Sequence, residues 1–267
     1  MWKGVASVSA LENAAAKGTQ PGARGFEDIR VGMVSEAVFS PGSGGAVPQL
    51  LPAITQAPPV RDAVLTGVQW EQGARPRSAG ARVEGTVTRW KPARKRGRGR
   101  VHQDVRLLDA DGQVVESASV VWDAPAGTEA QDDDSASRVA WDVGTVAWGK
   151  HLAAGLAANE AFASAVQTFD GSVGVRAGEE QVEFRIYRGS IVEVAKKSLD
   201  GPTFTVGGSE RAWTDLLSSP QNDFVKRTQS NQFRSIGNNF QYLRIFKAVM
   251  LMVDEAQLAV AKEASRA

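Results

Sequence analysis

The chain has 267 residues, 42% of them hydrophobic and 23% charged, with a formal net charge of +1. That is ordinary globular chemistry, with length for one large domain or two of common size. Cysteine is absent, which excludes disulfides, thiolate catalysis and cysteine-based metal sites. The charge is uneven: residues 1–126 carry 16 basic and 12 acidic side chains, residues 127–138 one and four, and residues 139–267 fourteen of each.

The first residues, MWKGVASVSALENAAAKG, lack the continuous apolar core of a signal peptide. Near the other end, the apolar run Ile245–Val253 is interrupted by Lys247 and falls far short of the roughly 20 residues that span a bilayer. The expectation is a soluble, cytoplasmic protein with no membrane span.

From Ser40 to Pro59, prolines and glycines oppose both helix and strand. β-Structure follows. In ARVEGTVTRW (81–90), Val83, Gly85 and Val87 share one face of a strand; in RVHQDVRLLD (100–109), Val101, Gln103, Val105 and Leu107 do so. Asp109-Ala110-Asp111-Gly112 is a tight turn, and QVVESASVVW (113–122) is the next strand, so the segment reads as an antiparallel meander.

The first two of these strands are joined by KPARKRGRGR (91–100), which holds six basic side chains. Aromatic residues are not interleaved there, as a single-strand nucleic-acid reader would need, and no nucleic-acid partner is expected. A solvated hairpin loop and a phosphate contact, through Arg94, Lys95, Arg96 and Arg98, remain as alternatives.

FEDIRVGM (26–33), RPRSAGARVEGTVTRW (75–90) and KRGRGRVHQDVRLLDADGQVVESASVVW (95–122) together resemble MaoC-like hotdog domains. That resemblance implies an antiparallel sheet wrapped on a central helix. Active members carry an Asp and a His a few residues apart after the first strand, as acid and base on an acyl-CoA. Residues 34–69 contain no histidine; the chain has only His102 and His151. The resemblance therefore implies a truncated, catalytically degenerate hotdog over 24–126, with His102 a structural strand residue. Its short Pro- and Gly-rich helix region predicts a sheet left with uncovered apolar surface and an open edge, hence a homodimer or pairing with a MaoC-like partner.

Ala124–Arg138 has no aliphatic side chain larger than alanine and three consecutive aspartates, which marks an acidic linker over 127–138. Beyond it, Val143–Phe169 is alanine-rich and helix-prone, and SVGVRAGEEQVEFRIYRGSIVEVAKKS (172–198) reads as three short strands. PTFTVGGSERAWTDLLSSP (202–220) runs from strand to helix with Ser209 as N-cap. A short helix, a strand near 232–237 and a closing helix follow. In that closing helix Phe240, Leu243, Phe246, Val249, Met250 and Val253 lie at helical spacing.

This order, and the stretches FTVGGSERAWTDLL and FRSIGNNFQYLRIFKAVMLMVD, resemble the sterol carrier protein 2 (SCP2) family over 139–258. The resemblance implies an α/β domain with helices on a five-stranded sheet around an apolar tunnel. By position, the tunnel residues would be Phe184, Ile186, Trp213, Phe224, Phe233, Phe240, Leu243, Phe246 and Met250. The whole chain is thus expected to be α+β, a truncated hotdog-like domain followed by an SCP2-like one. Its expected role is binding a lipid, steroid or acyl-CoA without cofactor or metal.

The alternative is an enzyme or accessory subunit, of an acyl-CoA hydratase or dehydratase, or an isomerase or cyclase using the apolar cavity. Glu71, Asp104, Tyr187 and Asp215 are the acid–base candidates, and no sequence pattern pairs them.

Overall fold

The computed structural model of the chain describes residues 3–5, 28–38, 50, 54, 58–72, 82–91, 97–125, 138–198 and 201–265. The fold is α+β, with two compact units, Met1–Gln131 and Asp132–Ala267. The stretch expected as an acidic linker lies almost wholly outside the described residues. Among the described residues no helix is long and apolar enough to cross a membrane.

The first unit is a six-stranded sheet. Its strands are β1 (Lys3–Val5), β2 (Val34–Val38), β3 (Val64–Gln72), β4 (Arg82–Lys91), β5 (Arg98–Leu108) and β6 (Val114–Pro125). They lie in the order β1-β3-β6-β5-β4-β2, with every pair antiparallel. The meander read from the alternation is β4-β5-β6. The turn between β5 and β6 is built as its residues dictate. The Asp109 carboxylate accepts from the backbone N–H groups of Asp111 and Gln113, and Gly112 adopts φ +75°.

One face of this sheet carries Val83 and Val87 from β4, Val101, Val105 and Leu107 from β5, and Ala118, Val120 and Trp122 from β6, all buried. Ile29, Leu50, Ile54 and Val60 are buried in the same apolar cluster. The expected shortage of cover is therefore made good in part by the chain itself, because Leu50 and Ile54 pack into the cluster on this sheet.

The second unit has a five-stranded sheet of β7 (Asp170–Ala177), β8 (Glu180–Tyr187), β9 (Ser190–Ala195), β10 (Phe204–Gly208) and β11 (Phe233–Gly237), in the order β11-β10-β7-β8-β9. Among these described strands the β10–β7 pair alone is parallel. The helices are α1 (Val146–Leu156), α2 (Glu160–Ala165), α3 (Glu210–Leu217), α4 (Phe224–Gln229), α5 (Asn239–Arg244) and α6 (Phe246–Ala264), after a 3-10 turn at Val139–Trp141.

Two breaks depart from the sequence expectations. The helix-prone stretch 143–169 is two helices, because Asn159 caps α2 by accepting the Phe162 N–H at 3.0 Å. The closing helix is also two. Asn238 starts α5 by accepting the Gln241 N–H, and Ile245 leaves helical geometry at φ −110°, ψ 24°. α5 buries Tyr242, and Ile245 is buried beyond its end, while Phe240 and Leu243 are 73% and 69% exposed.

Candidate functional site

The apolar interior of the second unit is assembled from three directions. Thr145 caps α1 by accepting the Trp148 N–H at 3.2 Å, which fixes the first turn and turns Trp148 inward. Gly149, the next residue, allows close approach to the sheet. A Cβ there would lie 2.7 Å from Val194 Cγ1 and 2.9 Å from Val182 Cγ2. Ser209 caps α3 by accepting the Ala212 N–H, and Trp213 on the next position buries its indole and donates Nε1 to the Arg176 carbonyl at 2.8 Å. The sheet contributes Val173 and Val175 of β7 and Val206 of β10, and α6 contributes Val249, Met252, Val253 and Ala256.

These side chains, with Trp148 and Trp213, line an apolar space of about 10 Å³. That is room for about one water molecule. A drug-sized ligand needs roughly 300 Å³ or more. The interior is thus nearly filled.

An aromatic run extends from this space through the core. Trp213 meets Phe233 edge-on at 4.9 Å, Phe233 meets Phe224 at 5.1 Å, and Phe224 meets Phe246 at 6.4 Å. Phe246 then meets Tyr242 at 5.5 Å, and Tyr242 meets Phe204 at 5.5 Å. Burial pushes the Tyr242 phenol above its ordinary pKa of 10.0. Another buried aromatic pair is Trp148 and Phe184, edge-on at 6.1 Å.

Of the residues singled out from sequence, Trp213 lines the space. Phe184 and Ile186 are fully buried on β8 in the same core, and Phe224, Phe233 and Phe246 belong to the aromatic run. Met250 packs at the margin of the core, half-buried. Phe240 and Leu243 are on the surface and do not join the others. Sequence reasoning passed over Trp148, Phe204, Tyr242 and Met252. The Thr145 cap was the available signal for Trp148. Placing Met252 and Tyr242 required knowing where the closing helix breaks.

α6 is held to the rest of the unit by polar bonds at its middle. Asn222 Nδ2 donates to the Met250 carbonyl and to Asp254, and Gln257 Nε2 donates to the carbonyls of Leu216, Ser219 and Gln221. The lining contributed by α6 itself is apolar, so its contact with the sheet is held by packing alone.

The acid–base candidates do not gather. Asp104 pairs with Arg106 at 2.7 Å, Asp215 pairs with Arg211 at 2.7 Å, and Tyr187 lies exposed under the Arg188 guanidinium at 5.1 Å. The side chain of Glu71 lies outside the described residues. None of the described candidates borders the apolar space. Among the described residues, no group of three or more His, Asp or Glu side chains is placed to hold a metal ion.

In the basic connection, Arg94, Lys95 and Arg96 lie outside the described residues. Arg98 opens β5 and donates to the Asp123 carbonyl at 3.0 Å, and Arg100 pairs with the Asp123 carboxylate at 3.1 Å. Both cations tie the start of β5 to the end of β6. His102 is half-buried opposite Arg89 in the β4–β5 ladder.

No protein-family model and no curated protein matches the chain. Among solved structures, the crystal structure of sterol carrier protein 2 is similar at 16% identity and a TM-score of 0.36, over 42% of this chain and 95% of that one. A conserved hypothetical protein from Thermus thermophilus, described as a candidate sterol carrier protein, is similar at 15% identity and a TM-score of 0.37. That match covers 44% of this chain and 90% of the other. The unliganded R-hydratase PhaJ1 from Pseudomonas aeruginosa is similar at 19% identity and a TM-score of 0.28, over 38% of this chain and 86% of that chain.

Proposed function

We propose that the second unit binds an elongated apolar ligand, a lipid, steroid or the acyl chain of a CoA ester, in the seam between its five-stranded sheet and α6. The observation that carries this reading is the wholly apolar lining of that seam by side chains from β7, β10, α1, α3 and α6. Such a lining has no directional bond to break when α6 and the sheet separate. Met252 and the neighbouring Met250 are unbranched and adapt their shape to what they touch. Ligand entry therefore means displacing side chains, since only about 10 Å³ is free.

The experiment is native mass spectrometry of the full chain, followed by displacement of a fluorescent fatty acid by fatty acids, sterols and acyl-CoA esters. A bound apolar species, or micromolar displacement by one of these classes, is the expected result. A folded protein that ignores the whole panel contradicts the reading.

The first unit is assigned a docking role, as homodimer contact or as partner of a full-length MaoC-like chain. Support comes from β2, a sheet edge among the described strands, on which Val34 is 50% exposed. Light scattering giving a monomer, with no partner captured, contradicts it. The basic connection before β5 is assigned a phosphate contact of the first unit itself. Neutralising Arg94, Lys95 and Arg96 together is expected to weaken an acyl-CoA more than its free acid, and equal effects would return the loop to a solvated hairpin.

A further inference from the structure

Phe224–Val253 runs for 30 residues without an acidic side chain and holds five basic ones, Lys226, Arg227, Arg234, Arg244 and Lys247. Arg227 is committed to Asp223 at 2.7 Å. Among the described residues the other four make no ion pair, and each of the four is exposed. Arg244 bonds only neutral oxygens, those of Thr168 and Gln241.

The exposed apolar residues of this segment sit among those cations. Phe240 is 73% exposed, Leu243 69% and Ile236 53%. Phe240 and Leu243 share one face of α5, three positions apart. Ile236 and Arg234 share the face of the edge strand β11 opposite buried Phe233, and β11 leads into α5 through Asn238 alone. Ile236 and Phe240 are four residue steps apart, so their Cα atoms are within about 14 Å of each other. The cause of the exposure is local and structural. α5 turns Tyr242 into the core, which leaves Phe240 and Leu243 on its outer face.

We infer that this end of the second unit, β11 with α5 and the start of α6, docks on an anionic lipid surface. Phe240, Leu243 and Ile236 enter the interface, and Lys226, Arg234, Arg244 and Lys247 meet the phosphate headgroups. Exposed large apolar side chains, and unpaired cations in the same stretch of chain, are the two components that interfacial binding adds together. A single-stranded nucleic acid would also answer to positive charge, but it needs aromatic platforms. Two of the three apolar groups here are aliphatic and cannot stack on bases. The inference stands apart from the ligand site, because none of these residues borders the apolar seam.

The test uses the full chain and flotation with vesicles, either neutral phosphatidylcholine or the same lipid with about one-third phosphatidylglycerol. The expected result is binding to the anionic vesicles at least about tenfold stronger than to the neutral ones, weakening as salt is raised. The double variant F240S/L243S and the triple variant R234Q/R244Q/K247Q should each lose about tenfold or more, with unchanged circular dichroism. Lys262→Gln, an exposed change near the far end of α6, should shift binding by less than about twofold. Any of three results overturns the proposal. The first is wild type that fails to float with anionic vesicles, and the second is F240S/L243S that floats as well as wild type. The third is binding elsewhere, shown by a dimer that F240S/L243S dissociates or by a single-stranded oligonucleotide that strips the protein from vesicles.

Discussion

The buried sheet face of the first unit and the seam of the second are lined with different chemistry. In the first, polar side chains are set into the apolar face of the sheet. Gln103, 4% exposed, accepts the Trp122 Nε1–H at 3.2 Å and donates to Ser35 Oγ at 3.4 Å. Gly85 makes the room, since a Cβ there would lie 2.4 Å from Gln103 Nε2. Glu116 is buried as well, on β6. In the second unit the seam between sheet and α6 is lined by apolar side chains throughout, and the Trp213 Nε1–H is satisfied by a backbone carbonyl. Hydrogen bonds fix distance and angle, and leaving one unmade inside a protein is costly. Dispersion contacts fix only density. The first sheet face is therefore tied by directional bonds, while the seam of the second unit is held by packing.

Mutations can break or sharpen this contrast. The largest effect is expected at Phe224, fully buried between Phe233 and Phe246. Phe224→Ala cuts the aromatic run and should cost about 3–5 kcal/mol of the second unit's stability in urea unfolding. Next is Gln103→Ala, which strands the Trp122 N–H inside the first unit and should cost about 1–3 kcal/mol there. Met252→Leu, equally deep in the second unit, should cost less than about 1.5 kcal/mol, because a volume-conserving apolar change breaks no directional bond. If Met252→Leu proves as damaging as Gln103→Ala, the two interiors do not differ as described.

The smallest effect is one of pH. The Tyr242 phenol has a folded pKa above the ordinary 10.0. Its contribution to stability is present below the unfolded pKa and is lost as pH rises through the folded one. The second unit should therefore weaken in alkali above about pH 10, and Tyr242→Phe should remove part of that weakening. An alkaline profile identical in wild type and variant would show that the phenol is not buried as placed.

Much of this architecture was legible in the sequence where one residue type answers to one local demand. The alternation of Val101, Gln103, Val105 and Leu107 marked the face of β5, and Ser209 marked the start of α3. Gly112 marked the turn before β6. The closing segment was legible only in part. Phe240, Leu243, Phe246, Met250 and Val253 fall at helical spacing, yet that stripe is wide enough to run from the surface at Phe240 and Leu243 to the core at Val253, and Ile245 divides the helix between them. No propensity marks an isoleucine as a break; the Asn238 cap and the packing of Tyr242 against Phe204 and Phe246 decide it. Trp148 was missed because a tryptophan in an alanine-rich helix has no period of its own. The Thr145 cap and the closeness allowed by Gly149 aim it at the sheet.

The central claim, that the seam beneath α6 takes up an apolar ligand, is tested most directly by energy transfer. Trp148 and Trp213 both line that seam, so a fatty acid carrying a conjugated polyene should quench their emission on binding. The account predicts saturable micromolar quenching by the full chain, diminished in both Trp148→Phe and Trp213→Phe. Absence of quenching, or quenching that neither substitution alters, would contradict it.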